Sequence, residues 1–294
     1  LDTVDRGVEA RVDLDRFAVV QGGKTTLVRP HPISVDPNAL DSLDPAALRE
    51  EERLLVRRFR LQGKKLVVGI DRLDYTKGIP ERLLAVDRLL TVHPELKGRF
   101  HLLQVAAPSR VHVPAYRRLH EEIDALVDAI NWRHGNDQWK PVLHLVEHFD
   151  QTRVHAAYCL ADACVVSSLH DGMNLVAKEF VAARRDLRGA LVLSRFTGAA
   201  RELGHGALLV NPYAVDEFAD ALSDAVTMLP REQERRMRRM RAVVEEQNIY
   251  RWAGRLLSEA GKLVEVTRHD HEPVARSGRH ESRLSNGHAV GAVL

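Results

Sequence analysis

The chain is poor in cysteine: Cys159 and Cys164 are the only two among 294 residues. That excludes a disulfide scaffold, and both thiols are expected to be reduced and buried. It also lacks a strong charge of either sign, since 43 Lys and Arg against 41 Asp and Glu leave a formal net charge of +2. So small an excess favours neither nucleic acid nor an anionic membrane as a partner. No apolar run approaches the roughly 18 residues of a membrane span. The opening LDTVDRGVEA has neither the apolar core nor the cleavage site of a signal peptide. An initiator Met is missing too, so a fragment or a processed piece is expected. No internal repeat is present. The remaining composition, 45% hydrophobic and 29% charged, is that of a globular, cytoplasmic protein with one large or two smaller domains.

What is present is an alternation. From Lys65 onward, KLVVGI (65–70), FHLLQVA (100–106), VLHLVEH (142–148), ACVVSS (163–168), ALVLS (190–194) and ALLVN (207–211) read as short apolar strands. Between them, IPERLLAVDRLLTV (79–92), YRRLHEEIDALVDAI (116–130), TRVHAAYCLA (152–161), NLVAKEFVAARR (174–185) and DEFADALSDAVTML (216–229) carry helical periodicity. Apolar strands each followed by a helix predict a doubly wound α/β domain, its parallel sheet covered on both faces. The first 36 residues do not fit. FAVVQGGKTTLVRP (17–30) predicts a hairpin around Gly22-Gly23, and HPISVDP (31–37) an extended linker. Two charged helices follow Leu229, and from about Thr267 the periodicity is lost. The expected divisions are therefore 1–36, 37–265 and a disordered tail over 266–294.

In an open α/β sheet ligands bind outside the carboxyl ends of the strands, so the polar residues there are the candidates. Arg72 and Lys77 follow the first strand; a fork and a point charge suit the two phosphates of a diphosphate, with solvated loop cations as the plainer alternative. In SSLHDGMNLVAKEF (167–180) a polar turn, Asp171-Gly172-Met173-Asn174, opens a helix carrying Lys178 and Glu179. Its start offers backbone N–H groups and a positive dipole end to an anion. Asp171 is either a ligand-contacting carboxylate or an N-cap, and Glu179 is placed to accept hydrogen bonds from a ribose.

Other patterns carry less. DLD (13–15) has the letters of an Asp-x-Asp metal motif but stands far from the strand ends, and no paired-carboxylate glycosidase arrangement is visible. REQERRMRRMR (231–241) carries an apolar stripe at Met237, Met240, Val243 and Val244, so it reads as an amphipathic helix with solvated arginines. His269, His271, His280 and His288 lack the register of a zinc site. No metal and no cofactor are expected.

The segments DRLDYTKGIPERLLA, QVAAPSR, EHFD, HDGMNLVAKEFVA and VLSRFTGAARELG…ALLVNPY, in this order, resemble the trehalose-6-phosphate synthase family of retaining glucosyltransferases, family 20, over about residues 1–260. The resemblance implies the two-lobed GT-B architecture, with this chain supplying the Rossmann-like C-terminal lobe. It implies transfer of glucose from UDP-glucose to glucose 6-phosphate. Arg72 and Lys77 would grip the diphosphate and Asp171 would bond the transferred glucose, helped by backbone around Gly172, Met173, Asn174, Leu175 and Val176. Glu179 would hold the ribose, Val105 would lie near the base and His148 by the nucleotide or acceptor. Arg110 would reach the acceptor phosphate; Pro108 stands where the family often has Thr or Ser. Asp171, Arg72 and Lys77 would be the catalytic groups, stabilising a departing diphosphate without a metal.

The same resemblance implies that the first lobe, with most of the acceptor pocket, precedes Leu1, and that residues 1–36 are its remnant. A homo-oligomer formed through the surface thus left bare is expected. Two alternatives stay open: a glucosylglycerol-phosphate synthase-like transferase, and a non-catalytic nucleotide-sugar-binding module.

Overall fold

The computed structural model describes residues 2–110 and 112–269. Two compact units are distinguished, residues 1–254 and a second beginning at Arg255. The expected tail over 270–294 lies outside the described residues, whereas 266–269 continue the last helix.

The chain opens with helix α1 (Asp2–Gly7) and three short antiparallel strands, β1 (Arg11–Asp13), β2 (Ala18–Gln21) and β3 (Lys24–Leu27). The β2–β3 hairpin turns at Gly22 and Gly23, whose φ values of 56° and 77° suit glycine. β1 adds a strand to the predicted hairpin. The segment that follows has no sheet partner, yet its carbonyls are held. Trp252 Nε1 donates to His31 O at 3.0 Å, Lys178 Nζ to Ile33 O at 3.2 Å and Ile249 N to Val35 O at 3.1 Å. Helix α2 (Pro45–Phe59), capped by the Asp44 carboxylate on Ala46 N at 2.9 Å, was not expected. Leu55 is its one fully buried residue, so its apolar stripe is thin.

The principal unit then alternates as predicted. β4 (Lys65–Arg72), α3 (Ile79–Val92), β5 (Phe100–Ala107), α4 (Pro114–His134), β6 (Val142–Leu145), α5 (Gln151–Leu160) and β7 (Ala163–Val166) come first. α6 (Leu175–Ala183), β8 (Ala190–Ser194), α7 (Ala199–Leu203), β9 (Leu208–Val210), α8 (Val215–Thr227), α9 (Pro230–Glu246) and α10 (Ile249–His269) follow. The six strands β4–β9 form one parallel sheet in the order β6-β5-β4-β7-β8-β9. The chain winds outward from β4 in one direction and returns to β7 to wind in the other. β4 and β7 therefore flank the point where a doubly wound sheet leaves a crevice at its carboxyl edge.

Period-two alternation sends Leu66 and Val68 of β4 to one face and Val67 to the other. The first face packs under Leu55, Tyr158, Phe180, Met237 and Met240, the second under Leu83, Val86, Ile123, Phe218 and Leu222. Burial of these apolar side chains is the main stabilising term. Arg235, Arg238 and Arg239 of α9 face outward, as the stripe predicts, with Arg238 paired to Glu234 at 2.7 Å, whereas Arg236 and Arg241 are half-buried and donate to the Gly206 and Ala182 carbonyls. Cys164 is buried as expected but Cys159 only half-buried; burial pushes the Cys159 thiol up to about 11 and that of Cys164 higher, which disfavours the thiolate in both. Trp139 is buried, whereas Trp132 is exposed on α4. No described helix is long and apolar enough to cross a membrane.

Candidate functional site

Three loops at the carboxyl edge are laced together. Ser167, just past β7, donates its hydroxyl to Gly78 O at 2.7 Å and Lys77 O at 3.0 Å, and Leu169 N bonds Thr76 O at 2.8 Å. Gly78 has φ 62°, and a Cβ there would stand 2.2 Å from Ser167 O. The loop after β8 joins from the other side, with Gly198 N on Asp171 O at 2.9 Å and Ala199 N on Met173 O at 2.9 Å.

Lys77 and Asp171, one on each side of the switch point, meet with Nζ to Oδ2 at 2.6 Å, both side chains largely buried. Burial raises the Asp171 carboxyl, but hydrogen bonding and charge from Lys77, then bonds from Met173 N and Asn174, more than offset it. The group is held below the ordinary carboxylate range and is ionised at neutral pH.

Asp171 is not the cap of α6. That role falls to Asn174, in a left-handed conformation (φ 62°), whose Oδ1 accepts from Ala177 N at 3.0 Å. Asp171 Oδ1 instead takes the amides of Met173 at 3.3 Å and Asn174 at 3.2 Å. Two amides expected to be open to an anion are thus engaged, and the open ones of the first turn start at Leu175 and Val176.

Arg72, Arg110 and His148 line the same edge in sheet order. Arg72, the last residue of β4, is exposed opposite Ala107. Arg110 follows β5 and donates to the Tyr116 hydroxyl at 3.0 Å, which donates to Asp74 Oδ2 at 3.2 Å. His148 is exposed in the loop after the edge strand β6, two strands from Lys77. Glu179 lies under the helix start; burial raises its carboxyl, with His155 and a 3.4 Å bond from the Tyr158 hydroxyl opposing. The Val105 side chain is in the core, 1% exposed, so this residue faces the interior of the sheet. Met173 and Gly172 are exposed, Leu175 and Val176 half-buried.

Lys178 turns inward. It is 1% exposed, pairs with Glu202 at 2.8 Å and holds the Ile33 carbonyl, so its place in the polar stretch serves packing. The sequence reading missed Arg82, which is fully buried beneath Gly69 on α3. Two letters signalled it: a glycine inside an apolar strand and an arginine on the apolar side of the next helix.

A cavity of about 380 Å³ opens between Pro30–Pro32 and Gly172, Met173 and Gly198, beside Asp171. A larger groove of about 750 Å³ runs along Leu229–Arg239, away from the strand ends and lined by arginines and glutamates of α9. Among the described residues, no group of three His, Cys, Asp or Glu side chains is placed to hold a metal ion.

Comparison with known proteins gives this geometry a family. The model described as Glycosyltransferase family 20 matches residues 1–262. An alpha,alpha-trehalose-phosphate synthase (UDP-forming) of Botryotinia fuckeliana is 42% identical over 83% of this chain and 46% of its own length. Synthase A of Dictyostelium discoideum is 36% identical over 91% of this chain and 35% of its own. The chain thus spans a third to a half of these relatives. The Burkholderia multivorans alpha,alpha-trehalose 6-phosphate synthase superposes with a TM-score of 0.84 at 34% identity, over 94% of this chain and 58% of that one. A Burkholderia xenovorans enzyme solved with glucose-6-phosphate gives 0.82 at 33% identity, over 88% and 56%. The Escherichia coli protein bound with UDP-2-fluoro glucose gives 0.79 at 33% identity, over 88% and 57%. The chain belongs to glycosyltransferase family 20.

Proposed function

We propose that this chain is the donor-binding portion of a glucosyltransferase that carries glucose from UDP-glucose to glucose 6-phosphate, giving trehalose 6-phosphate with retention. One observation carries the reading: a cation and an ionised carboxylate, Lys77 and Asp171, are paired at 2.6 Å on laced loops at the switch point. Relatives solved with glucose-6-phosphate and with a fluorinated UDP-glucose support the choice of substrates.

Departure of a nucleoside diphosphate leaves negative charge on its oxygen while positive charge grows on the sugar. Fixed cations and amides stabilise that charge without reorganising. An ammonium has three donors, so Lys77 can stay on Asp171 while donating to a phosphate. The exposed fork of Arg72 serves the second phosphate, and Asp171 accepts from a hydroxyl of the glucose in the adjoining cavity. The Leu175 and Val176 amides add the helix end to the phosphate site. Glu179 receives the ribose hydroxyls, the main chain at Val105 backs the base, His148 stands by the nucleotide or acceptor, and Arg110 meets the acceptor phosphate. In this reading the protein acts in the cytoplasm and self-associates through apolar surface of its N-terminal strands.

The alternative is a donor-binding module without turnover. Titration with UDP-glucose, then a UDP-release assay with glucose 6-phosphate, separates them. Acceptor-dependent release establishes the enzyme; binding without release establishes the module; no binding rejects the donor site.

A further inference from the structure

Arg82 is 0% exposed and yet charged, which demands partners. Its guanidinium reaches two strands of the sheet and the residue just past a third. Nη1 donates to Gln104 Oε1 of β5 at 2.6 Å, Nε donates to Ser167 Oγ beyond β7 at 3.1 Å, and Nη2 stands 2.8 Å from Asp71 Oδ2 of β4, an ionic contact without hydrogen-bond alignment. The backbone is shaped to admit it: a Cβ on Gly69 would stand 2.1 Å from Nη1. Ser167 passes the constraint on, because its hydroxyl lies on the carbonyls of Lys77 and Gly78.

Resting on the donor-site reading, we infer that Arg82 and Ser167 are positioning residues: they fix the turn that carries Lys77 so that its ammonium is set for the diphosphate before the ligand arrives. Neither reaches the crevice, since Ser167 is also 0% exposed. The action runs through the Lys77 main chain. An unrestrained turn would have to be ordered on binding, and that entropy would be lost from the affinity.

The test is a double-mutant cycle on the 294-residue chain. Ligand-observed NMR titration with UDP-glucose reads dissociation constants into the millimolar range, and thermal melts run in parallel. Ser167→Ala raises Kd about five- to tenfold when Lys77 is present. In a Lys77→Ala background the same substitution leaves Kd unchanged, because nothing remains to be positioned. An unchanged Kd in Ser167→Ala, or an equal factor in both backgrounds, overturns the inference while leaving the donor site standing. If Lys77→Ala itself leaves Kd unaltered, or the parent chain does not bind, the donor-site reading fails and takes the inference with it. Should Ser167→Ala not fold, Arg82→Lys carries the same prediction: its point charge cannot replace a three-way fork.

Discussion

Tyr158, with no exposed surface, donates its hydroxyl to Glu179 Oε2 at 3.4 Å. The carboxyl it touches is raised by burial. For an acid so shifted, the folded state binds more protons than the unfolded chain between the two pKa values. Stability is therefore highest below the unfolded value, about 4.3, and falls as pH rises through the folded one. Glu179→Gln is expected to melt higher than the parent near neutral pH, with the difference shrinking in acid, and to weaken UDP-glucose binding. Paired melts at about pH 7.5 and 4 check the first part; a lower melting point for Glu179→Gln at the higher pH contradicts it.

Asp171 has the opposite sign. Its carboxyl is held low, so its stabilisation is fully present above the unfolded value of about 3.9 and disappears as pH falls through the depressed one. Asp171→Asn should flatten the loss of stability on acidification below about pH 4. Denaturant midpoints collected down the acid range decide the matter; parallel curves for parent and variant would reject it.

Lys77→Ala is expected to weaken UDP-glucose binding about ten- to a hundredfold, the range for a lost charge-assisted contact. Arg238→Ala is expected to change nothing, because that guanidinium is exposed and paired with Glu234. Calorimetry on both variants gives the comparison, and equal effects count against the site.

A steric prediction separates two neighbouring glycines. A Cβ on Gly172 meets nothing within 4 Å, whereas one on Gly198 would stand 2.0 Å from Gly172 O. Gly172→Ala should keep the parent melting point. Gly198→Ala should lower it by several degrees, corresponding to about 1–3 kcal/mol of overpacking, and should disturb the Asp171 turn. Calorimetric scans of the pair provide the measurement.

Val8, Leu14, Phe17, Leu27 and Val28 are exposed in and around the three N-terminal strands. An apolar surface of this kind favours association. Light scattering on the isolated chain should show a mass that rises with concentration, and Leu14→Ser with Phe17→Ser should suppress the rise. A monomer at every concentration removes the proposal.

The alternation of strand and helix was legible because each parallel strand is covered on both faces and each helix shows its apolar side at a fixed period. The polar carboxyl-end turns were legible too, since the order of elements puts them on one edge. What escaped the letters was the direction of side chains. Lys178 and Glu179 are adjacent in sequence, yet one is locked under the loops and the other underlies the helix start. Val105 sits at the right height on β5, but alternation turns it into the core. Asp171 and Asn174 both have capping chemistry, and the left-handed backbone at Asn174 decided which one caps. Arg82 was hidden because its partners, Asp71, Gln104 and Ser167, stand far apart in the chain.

The segment after β3 has a consequence for the order of events during synthesis. The donors that hold the His31, Ile33 and Val35 carbonyls belong to Trp252, Lys178 and Ile249, and Trp252 lies 221 positions beyond His31. A ribosome therefore emits this stretch long before its restraints exist. It stays unfastened until Lys178 has been made, and the start of the Ile249–His269 helix supplies the other two restraints.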